Sequence, residues 1–165
     1  MTQSGTHSFD IRDLTPEDKT WVQRVLVQYW GSTVQITRGT RIAADELPGI
    51  VAVRDGAEVG LLTYNINEQG CEIITHNSMA GHGGIGSCLL DAVRAKAREA
   101  NCQRLWLITT NDNTPAIRFY QRRNFDIAAF HRNAIAENRK LKAEIPNLGF
   151  DGIPIRHEIE LEYKL

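Results

Sequence analysis

The chain has no excess of either charge and no long apolar run. Lysine and arginine number 19 and aspartate and glutamate number 20 in 165 residues, so the net charge is −1. Binding to nucleic acid or to an anionic membrane usually draws on a basic excess. A membrane-spanning helix needs about 18 or more consecutive apolar residues. We therefore expect neither nucleic acid nor a membrane as a partner.

Cysteine is scarce as well. The three cysteines, Cys71, Cys88 and Cys102, show no CxxC spacing, which argues against a disulfide framework or a zinc site. No group of His, Cys, Asp and Glu has the spacing of metal ligands, so we expect no metal. Residues 1–9 are polar and lack the apolar core of a secretory signal, so we expect a cytoplasmic protein.

The length suits one domain, residues 1–165, with a single core. Thr15-Pro16-Glu17-Asp18 predicts a helix start, because Thr15 can cap it, Pro16 suits the first helical position and Asp18 can complete a capping box. Gly31 is expected to end this helix. Asp55-Gly56 lies between Ile50–Arg54 and Val59–Ile66, and this turn pair predicts a β-hairpin.

The remaining pattern alternates strands and helices. We expect a short first strand at 9–14, a weakly signalled helix at 43–47, strands at 71–77, 105–110, 127–130 and 158–163, and helices after residue 84, at 115–123 and at 134–141. Asn124 is expected to end the 115–123 helix in a left-handed conformation. This order predicts a mixed α/β domain.

A glycine-rich segment, Gly81-His82-Gly83-Gly84-Ile85-Gly86-Ser87, separates a predicted strand from an amphipathic helix. Glycines let the backbone approach a ligand closely, and the helix start offers unpaired N–H groups and the positive end of its dipole. The segment therefore predicts a phosphate-binding turn.

Dinucleotide binding is one interpretation of this turn. Gly81, Gly83 and Gly86 match the pattern GxGxxG, and Asp112 follows the next strand. A doubly wound nucleotide domain, however, requires further βα units after the fingerprint, and only about one helix and a few strands follow here. A nucleotide-binding oxidoreductase fragment is therefore the weaker alternative.

Coenzyme A binding is the other interpretation, because the turn resembles that of the GNAT acetyltransferases. Their motif runs Gln or Arg, two residues, Gly, one residue, then Gly or Ala, and opens a helix. Gly84-Ile85-Gly86-Ser87 matches its second half. Gly81 replaces the usual Gln or Arg and His82 replaces the usual glycine, so one side-chain contact to phosphate is missing.

A second motif strengthens the resemblance. The segment Asn113 to Tyr120, followed by Asn124-Phe125, looks like the family's second cofactor element, with Asn124 in place of a glycine. The two motifs occur in the family's order, and the resemblance spans about residues 9–130. Residues 30–32 and 151–156 also look like a bacterial subgroup of uncharacterised GNAT proteins.

The resemblance implies a GNAT-like α/β fold, with a central mixed, mostly antiparallel sheet flanked by helices. It implies transfer of acetyl from acetyl-coenzyme A to a primary amine of a small molecule or peptide. A homodimer stays an open alternative. The residues implied in cofactor binding are Gly81, His82, Gly83, Gly84, Ile85, Gly86, Ser87, Asn113, Ala116 and Tyr120. Because the Gln or Arg contact is lost, a coenzyme A-binding regulatory module without catalysis is a further alternative.

Three side chains are candidates for proton transfer. Tyr120 matches a family tyrosine that lies near the sulfur and could protonate the leaving thiolate; the alternative is a packing aromatic. Glu72 resembles a general-base glutamate of some family members; the alternative is a solvated carboxylate at a strand end. His76 titrates nearest neutrality. Strand alternation predicts that Glu72, Ile74 and His76 share one face of the strand.

Recognition of the acceptor is expected from residues 30–41 and 131–157. By residue type, Arg38, Arg41 and Arg156 could hold a carboxylate, and Asp151 and Glu158 could hold an amine. Solvated surface charge is the usual role of such residues.

Overall fold

The computed structural model describes residues 9–79 and 83–165. Within these ranges the chain forms nine strands and four helices. The helices are α1 (Lys19–Trp30), α2 (Ile85–Glu99), α3 (Thr114–Gln121) and α4 (Ala134–Leu141). The strands are β1 (Asp10–Asp13), β2 (Val34–Thr37), β3 (Thr40–Ala43), β4 (Gly49–Arg54), β5 (Ala57–Asn67), β6 (Gly70–Ser78), β7 (Arg104–Thr110), β8 (Asp126–His131) and β9 (Glu158–Lys164).

Seven strands form one sheet in the order β1-β4-β5-β6-β7-β9-β8. All neighbouring strands in it are antiparallel except β6 and β7, which run parallel. The parallel pair is connected through α2, as a parallel crossover requires. This architecture confirms the predicted mixed, mostly antiparallel sheet flanked by helices.

The start of α1 follows its predicted capping signal. Residues 16–18 form a short 3-10 turn before the helix. The Asp18 carboxylate accepts a hydrogen bond from the Thr15 backbone N–H at 2.8 Å and two from the Arg12 guanidinium at 2.7 and 2.9 Å. The hydrogen bonds from Arg12 are the main reason that the pKa of Asp18 falls to about 2. Gly31 ends the helix in a left-handed conformation, as predicted.

The predicted hairpin joins β4 and β5. Asp55 and Gly56 have positive φ angles of 52° and 77°, the geometry that Asp-Gly favours in a two-residue hairpin turn. Asn124 has a φ of 65° after α3, which confirms its predicted left-handed conformation.

Neighbouring residues of β5 divide the core into two layers. Leu62 belongs to the larger cluster, in which α2 packs on one face of the sheet through a stripe of buried residues: Ile85, Leu89, Leu90, Val93 and Ala97. This stripe is the predicted apolar face of the helix. Leu61 points to the other face and packs with Val22, Val25 and Leu26 of α1. The two faces are therefore covered by different helices.

One element was not predicted. Residues 34–43 form a separate two-stranded hairpin, β2 and β3, with its turn at Arg38 and Gly39. Both turn residues have positive φ. The weakly signalled helix at 43–47 is only a 3-10 turn, Ala44–Glu46. Two strands of this length gain little stability alone and depend on contacts with the rest of the protein.

Candidate active site

The parallel strands β6 and β7 part halfway along their length. They pair only from Cys71–Leu105 to Ile73–Leu107, whereas β6 continues to Ser78 and β7 to Thr110. A β-bulge in the pairing of β6 with β5 falls at the same level and leaves Ile74 without a partner. The sheet therefore has an opening between these strands, with the α2 face on one side and the α1 face on the other.

The bulge overturns the predicted face of His76. Residue 73 pairs with Tyr64 and residue 75 with Thr63, so the extra residue reverses the alternation beyond it. Glu72 and Ile74 stay on the α1 face, as expected, but His76 points to the α2 face. Glu72 and His76 thus lie on opposite sides of the sheet and do not act on one another directly.

On the α2 face, His76 contacts Tyr120 of α3. His76 Nδ1 lies 2.7 Å from Tyr120 Oη, and His76 Nε2 lies 3.0 Å from the Gly86 carbonyl oxygen in the first turn of α2. Burial lowers the pKa of His76 to about 4. Burial also raises the pKa of Tyr120 above its ordinary value. Both side chains are therefore uncharged at neutral pH.

On the α1 face, Glu72 is buried without a partner. Only 7% of the residue is exposed, and none of the hydrogen bonds within residues 9–79 and 83–165 reaches its carboxylate. Burial raises the pKa of Glu72 to about 7, and the negative charge of Glu160 adds to the effect. A carboxylate with this pKa can take up a proton near neutral pH.

The two carboxylates near Glu72, those of Glu158 and Glu160, already have partners. Glu160 forms an ion pair with Arg104 at 2.8 Å. Glu158, which sequence reasoning offered as an amine ligand, accepts hydrogen bonds from Asn138 Nδ2 at 2.6 Å and from the Arg38 backbone N–H at 3.1 Å. Glu158 therefore anchors the tip of the β2–β3 hairpin and is not free to bind an acceptor.

The described part of the glycine turn has the expected helix-start geometry. Gly81 and His82 lie outside the described residues. Gly83 and Gly84 are exposed, and Gly84 caps α2 in a left-handed conformation with φ of 76°. A Cβ added at Gly84 would meet no atom of the described residues within 4 Å. The carbonyl of Gly84 accepts the first helical hydrogen bond, from Cys88 N–H at 2.9 Å.

Two arginines that the sequence analysis missed flank this turn. Arg123 donates to Ser87 Oγ at 2.7 Å and lies over the Phe119 ring at 3.6 Å. The Arg54 guanidinium approaches Gly83, where an added Cβ would lie 2.8 Å from its Nη2. Cations beside the positive end of a helix are unfavourable, and a bound anion would offset this by attracting both the arginines and the helix start.

Arg123 could have been found from the sequence, because it follows Tyr120 by three residues, just after the end of α3, and its side chain reaches back to the Phe119 carbonyl. Arg54 carried no such signal, since it meets the turn only through the folded sheet. Beside α3 lies an open cavity of about 910 Å³, lined by Thr114, Pro115, Arg118, Phe119, Arg122 and Arg123.

The other predicted cofactor contacts lie nearby. Asn113 caps α3, and its side-chain oxygen accepts the Ala116 backbone N–H at 3.2 Å. Ile85 is fully buried in the core beneath the turn, whereas Gly86 and Ser87 are half-buried. The contacts of these residues with a cofactor stay a prediction.

No three His, Cys, Asp or Glu side chains within 9–79 and 83–165 are placed to hold a metal ion. No helix in the same ranges combines the length and the apolar character needed to cross a membrane.

Comparison with known proteins identifies the family. The sequence profile of the Acetyltransferase (GNAT) family matches residues 11–125. The uncharacterised protein YdhI of Bacillus subtilis (strain 168) is 45% identical over 133 residues, which cover 80% of this chain and 83% of YdhI. The uncharacterised protein YxbD of the same strain is 38% identical over 148 residues, 89% of this chain and 93% of YxbD.

A solved structure agrees in fold. The GNAT family acetyltransferase from Elizabethkingia anophelis with acetyl-CoA bound has a TM-score of 0.69 at 20% identity, and the match covers 95% of this chain and 98% of that one. The profile covers more than half of the chain and the fold agrees with it, so the chain belongs to the GNAT acetyltransferase family.

Proposed function

We propose that the protein transfers the acetyl group of acetyl-coenzyme A to a primary amine of a small molecule or peptide. The observation that carries this proposal is the opening between β6 and β7. One side of it leads to a helix start flanked by arginines, which suits an anionic cofactor. The other side holds the unpartnered carboxylate of Glu72, which suits an amine.

The cofactor fits the residues that are present. Its pyrophosphate would lie on backbone N–H groups of the turn from Gly81 to Ser87, with Asn113 and Ala116 on its flank. The Gln or Arg that the family places at Gly81 is missing, and Arg123 and Arg54 can supply positive charge in its place. The Nε–H of Arg54 is buried and has no partner among the described residues, which is a cost that an anion would remove.

Glu72 is proposed as the base. An amine must be neutral to attack the thioester, but a lysine-like amine has a pKa of about 10.4. Glu72 would accept the amine proton, directly or through a water. The nitrogen then bonds to the acetyl carbon and the carbon–sulfur bond breaks. Coenzyme A leaves as the thiolate, and the second proton of the amine nitrogen passes through water to the sulfur, which gives the free thiol. A pKa near 7 suits this task, because about half of the carboxylate is ionised at neutral pH and can take up a proton.

Tyr120 is proposed as the donor to the leaving thiolate, with its Oη held at the α2 side of the opening. A thiol pKa of about 8.5 makes the thiolate a fair leaving group, so donation of a hydrogen bond already assists departure. The nearby positive charge of Arg123 acts in the same direction, since it lowers the pKa of Tyr120 against the larger effect of burial.

A coenzyme A-binding regulatory module remains the second candidate. It is favoured by the departures at Gly81 and His82 and by the hydroxyl of Tyr120, which already has a hydrogen-bond partner in His76. The two candidates agree about cofactor binding and differ only in turnover.

Two measurements test the proposal. Acetyl-coenzyme A and free coenzyme A should each raise the melting temperature, whereas NAD should not. Release of free coenzyme A should then be followed with a panel of primary amines and with lysine-containing and N-terminal peptides. Stabilisation by NAD alone would contradict the proposal. Binding of acetyl-coenzyme A with no turnover across the panel would support the regulatory module instead.

A further inference from the structure

A chain of two hydrogen bonds connects the glycine turn with Tyr120. It runs from the carbonyl oxygen of Gly86 to His76 Nε2, and from His76 Nδ1 to Tyr120 Oη, at 3.0 and 2.7 Å. The imidazole also packs edge-on against Phe119, with ring centroids 5.6 Å apart. The ring therefore has polar contacts at both nitrogens and little freedom to turn.

The protonation of His76 follows from these contacts. A carbonyl oxygen can only accept a hydrogen bond, so Nε2 must carry a hydrogen. Burial keeps the ring neutral near pH 7, since it lowers the pKa of His76 to about 4, and the charge of Arg123 acts the same way. A neutral ring protonated at Nε2 has a lone pair at Nδ1. Tyr120 must therefore donate its hydroxyl hydrogen to His76.

This arrangement leaves His76 no part in proton transfer. Its Nε2 hydrogen is held by a backbone carbonyl, and its Nδ1 is an acceptor that faces the phenol and not the α1 side of the sheet. Glu72, the proposed base, lies on that other side because of the bulge at Ile74.

We infer that His76 is a positioning residue, which holds the phenol of Tyr120 at the opening and ties it to the first turn of α2 through the Gly86 carbonyl. The inference rests on the proposed function, in which the phenol hydrogen that His76 holds in the free protein turns to the sulfur as the thiolate forms. Placement matters because an error of about 1 Å at a reacting group can cost about 10²-fold in rate.

Two substitutions separate positioning from packing. His76→Leu removes both hydrogen bonds, and we expect kcat to fall at least about tenfold while the KM for acetyl-coenzyme A changes less than about threefold. His76→Asn retains an acceptor close to the place of Nδ1 and should recover most of the lost rate. Neither substitution should shift the limbs of the pH–rate profile, because His76 stays neutral over the working range.

A double-mutant cycle makes the test specific. In a Tyr120→Phe background the phenol hydroxyl is absent, so His76→Leu should lower kcat no further. An equal loss in both backgrounds would overturn the inference and assign His76 to packing. If His76→Asn loses the acidic limb of the pH profile, the inference is wrong and His76 acts as the base.

A spectroscopic measurement tests the inference without turnover and without mutation. Nitrogen-15 NMR of the full chain should show a protonated Nε2 and an unprotonated Nδ1 for His76 from about pH 5.5 to about 8.5. Titration near the ordinary histidine pKa of about 6.5, or a protonated Nδ1, would refute the inference. If the spectrum agrees but no amine is acetylated, the proposed function has failed and the hydrogen-bonded positioning of Tyr120 has not.

Discussion

The two faces of the sheet differ sharply in charge where β6 and β7 part. The α2 face has neutral, hydrogen-bonded aromatic side chains at the opening, His76 and Tyr120, with the arginines Arg54 and Arg123 beside the turn. The α1 face has three buried carboxylates: Glu72, Glu158 and Glu160. A thioester with phosphates suits the first face, and an amine suits the second.

The faces also differ in how fully their polar groups are paired. Glu158 and Glu160 are satisfied by Asn138 and Arg104, and His76 is satisfied at both nitrogens. Glu72 has no hydrogen-bond partner in the described part of the chain, and its carboxylate is desolvated but keeps some contact with solvent. Such a carboxylate costs stability yet stays accessible, so its presence next to the opening favours a role in the reaction.

The largest effect is expected for the α2 face. Tyr120→Phe removes the donor to the thiolate and should lower kcat by about 10² to 10⁴, the usual value of general acid catalysis. The KM for acetyl-coenzyme A should change much less. Tyr64→Phe is the matched control, because Tyr64 is buried in the same core cluster but its hydroxyl lies near Lys96 and Glu99, at the end of α2 opposite the turn, and it should change kcat less than about twofold. If kcat falls less than about threefold in Tyr120→Phe, Tyr120 has a packing role only.

The next effect belongs to the α1 face. Glu72→Gln keeps the size of the side chain but cannot accept a proton, so kcat should fall by about 10². In the wild type the rate should decline as the pH falls through about 7, where Glu72 becomes protonated. The variant should lose this limb. Glu162→Gln, on the same face but paired with Arg104, is the control and should retain the limb. Persistence of the limb in Glu72→Gln would exclude Glu72 as the base.

The same substitution has a consequence for stability. The folded protein holds a proton on Glu72 up to about pH 7, whereas an unfolded glutamate loses it near 4.5, so the free energy of unfolding falls as the pH rises between these values. Glu72→Gln has no proton to release at this position, so its free energy of unfolding should not fall in this way. The variant should be more stable than the wild type by about 2 kcal/mol at about pH 8 and equally stable at about pH 4, as measured by urea denaturation. A constant difference at all pH values would mean that Glu72 is not desolvated.

The smallest effect concerns the arginines at the turn. Arg123→Leu should raise the KM for acetyl-coenzyme A about fivefold, about 1 kcal/mol, and the effect should shrink at high salt. Arg98→Leu, at an exposed position of α2 away from the turn, should leave the KM unchanged. If the KM changes equally in both variants, Arg123 is not part of the cofactor site.

Local signals predicted the elements that surround the site. The Asp55-Gly56 hairpin, the amphipathic helix α2 and the left-handed Asn124 after α3 each depend on residues close together in sequence, and all three are present in the structure. The β2–β3 hairpin was missed. Its strands have only four residues each, and its tip is held by Glu158, some 120 positions along the chain.

The sequence by itself determined the family and most of the strands and helices, because these depend on short-range patterns. Only the tertiary structure decided the face of His76. The bulge at Ile74 arises where β6 pairs with β5, and the alternation of residues within one strand does not reveal such a bulge. The tertiary structure also decided the charge of Glu72 and the placing of Arg54 and Arg123 at the turn. The burial of a side chain and the charges near it depend on contacts between segments that are distant in sequence, so no local pattern predicts them.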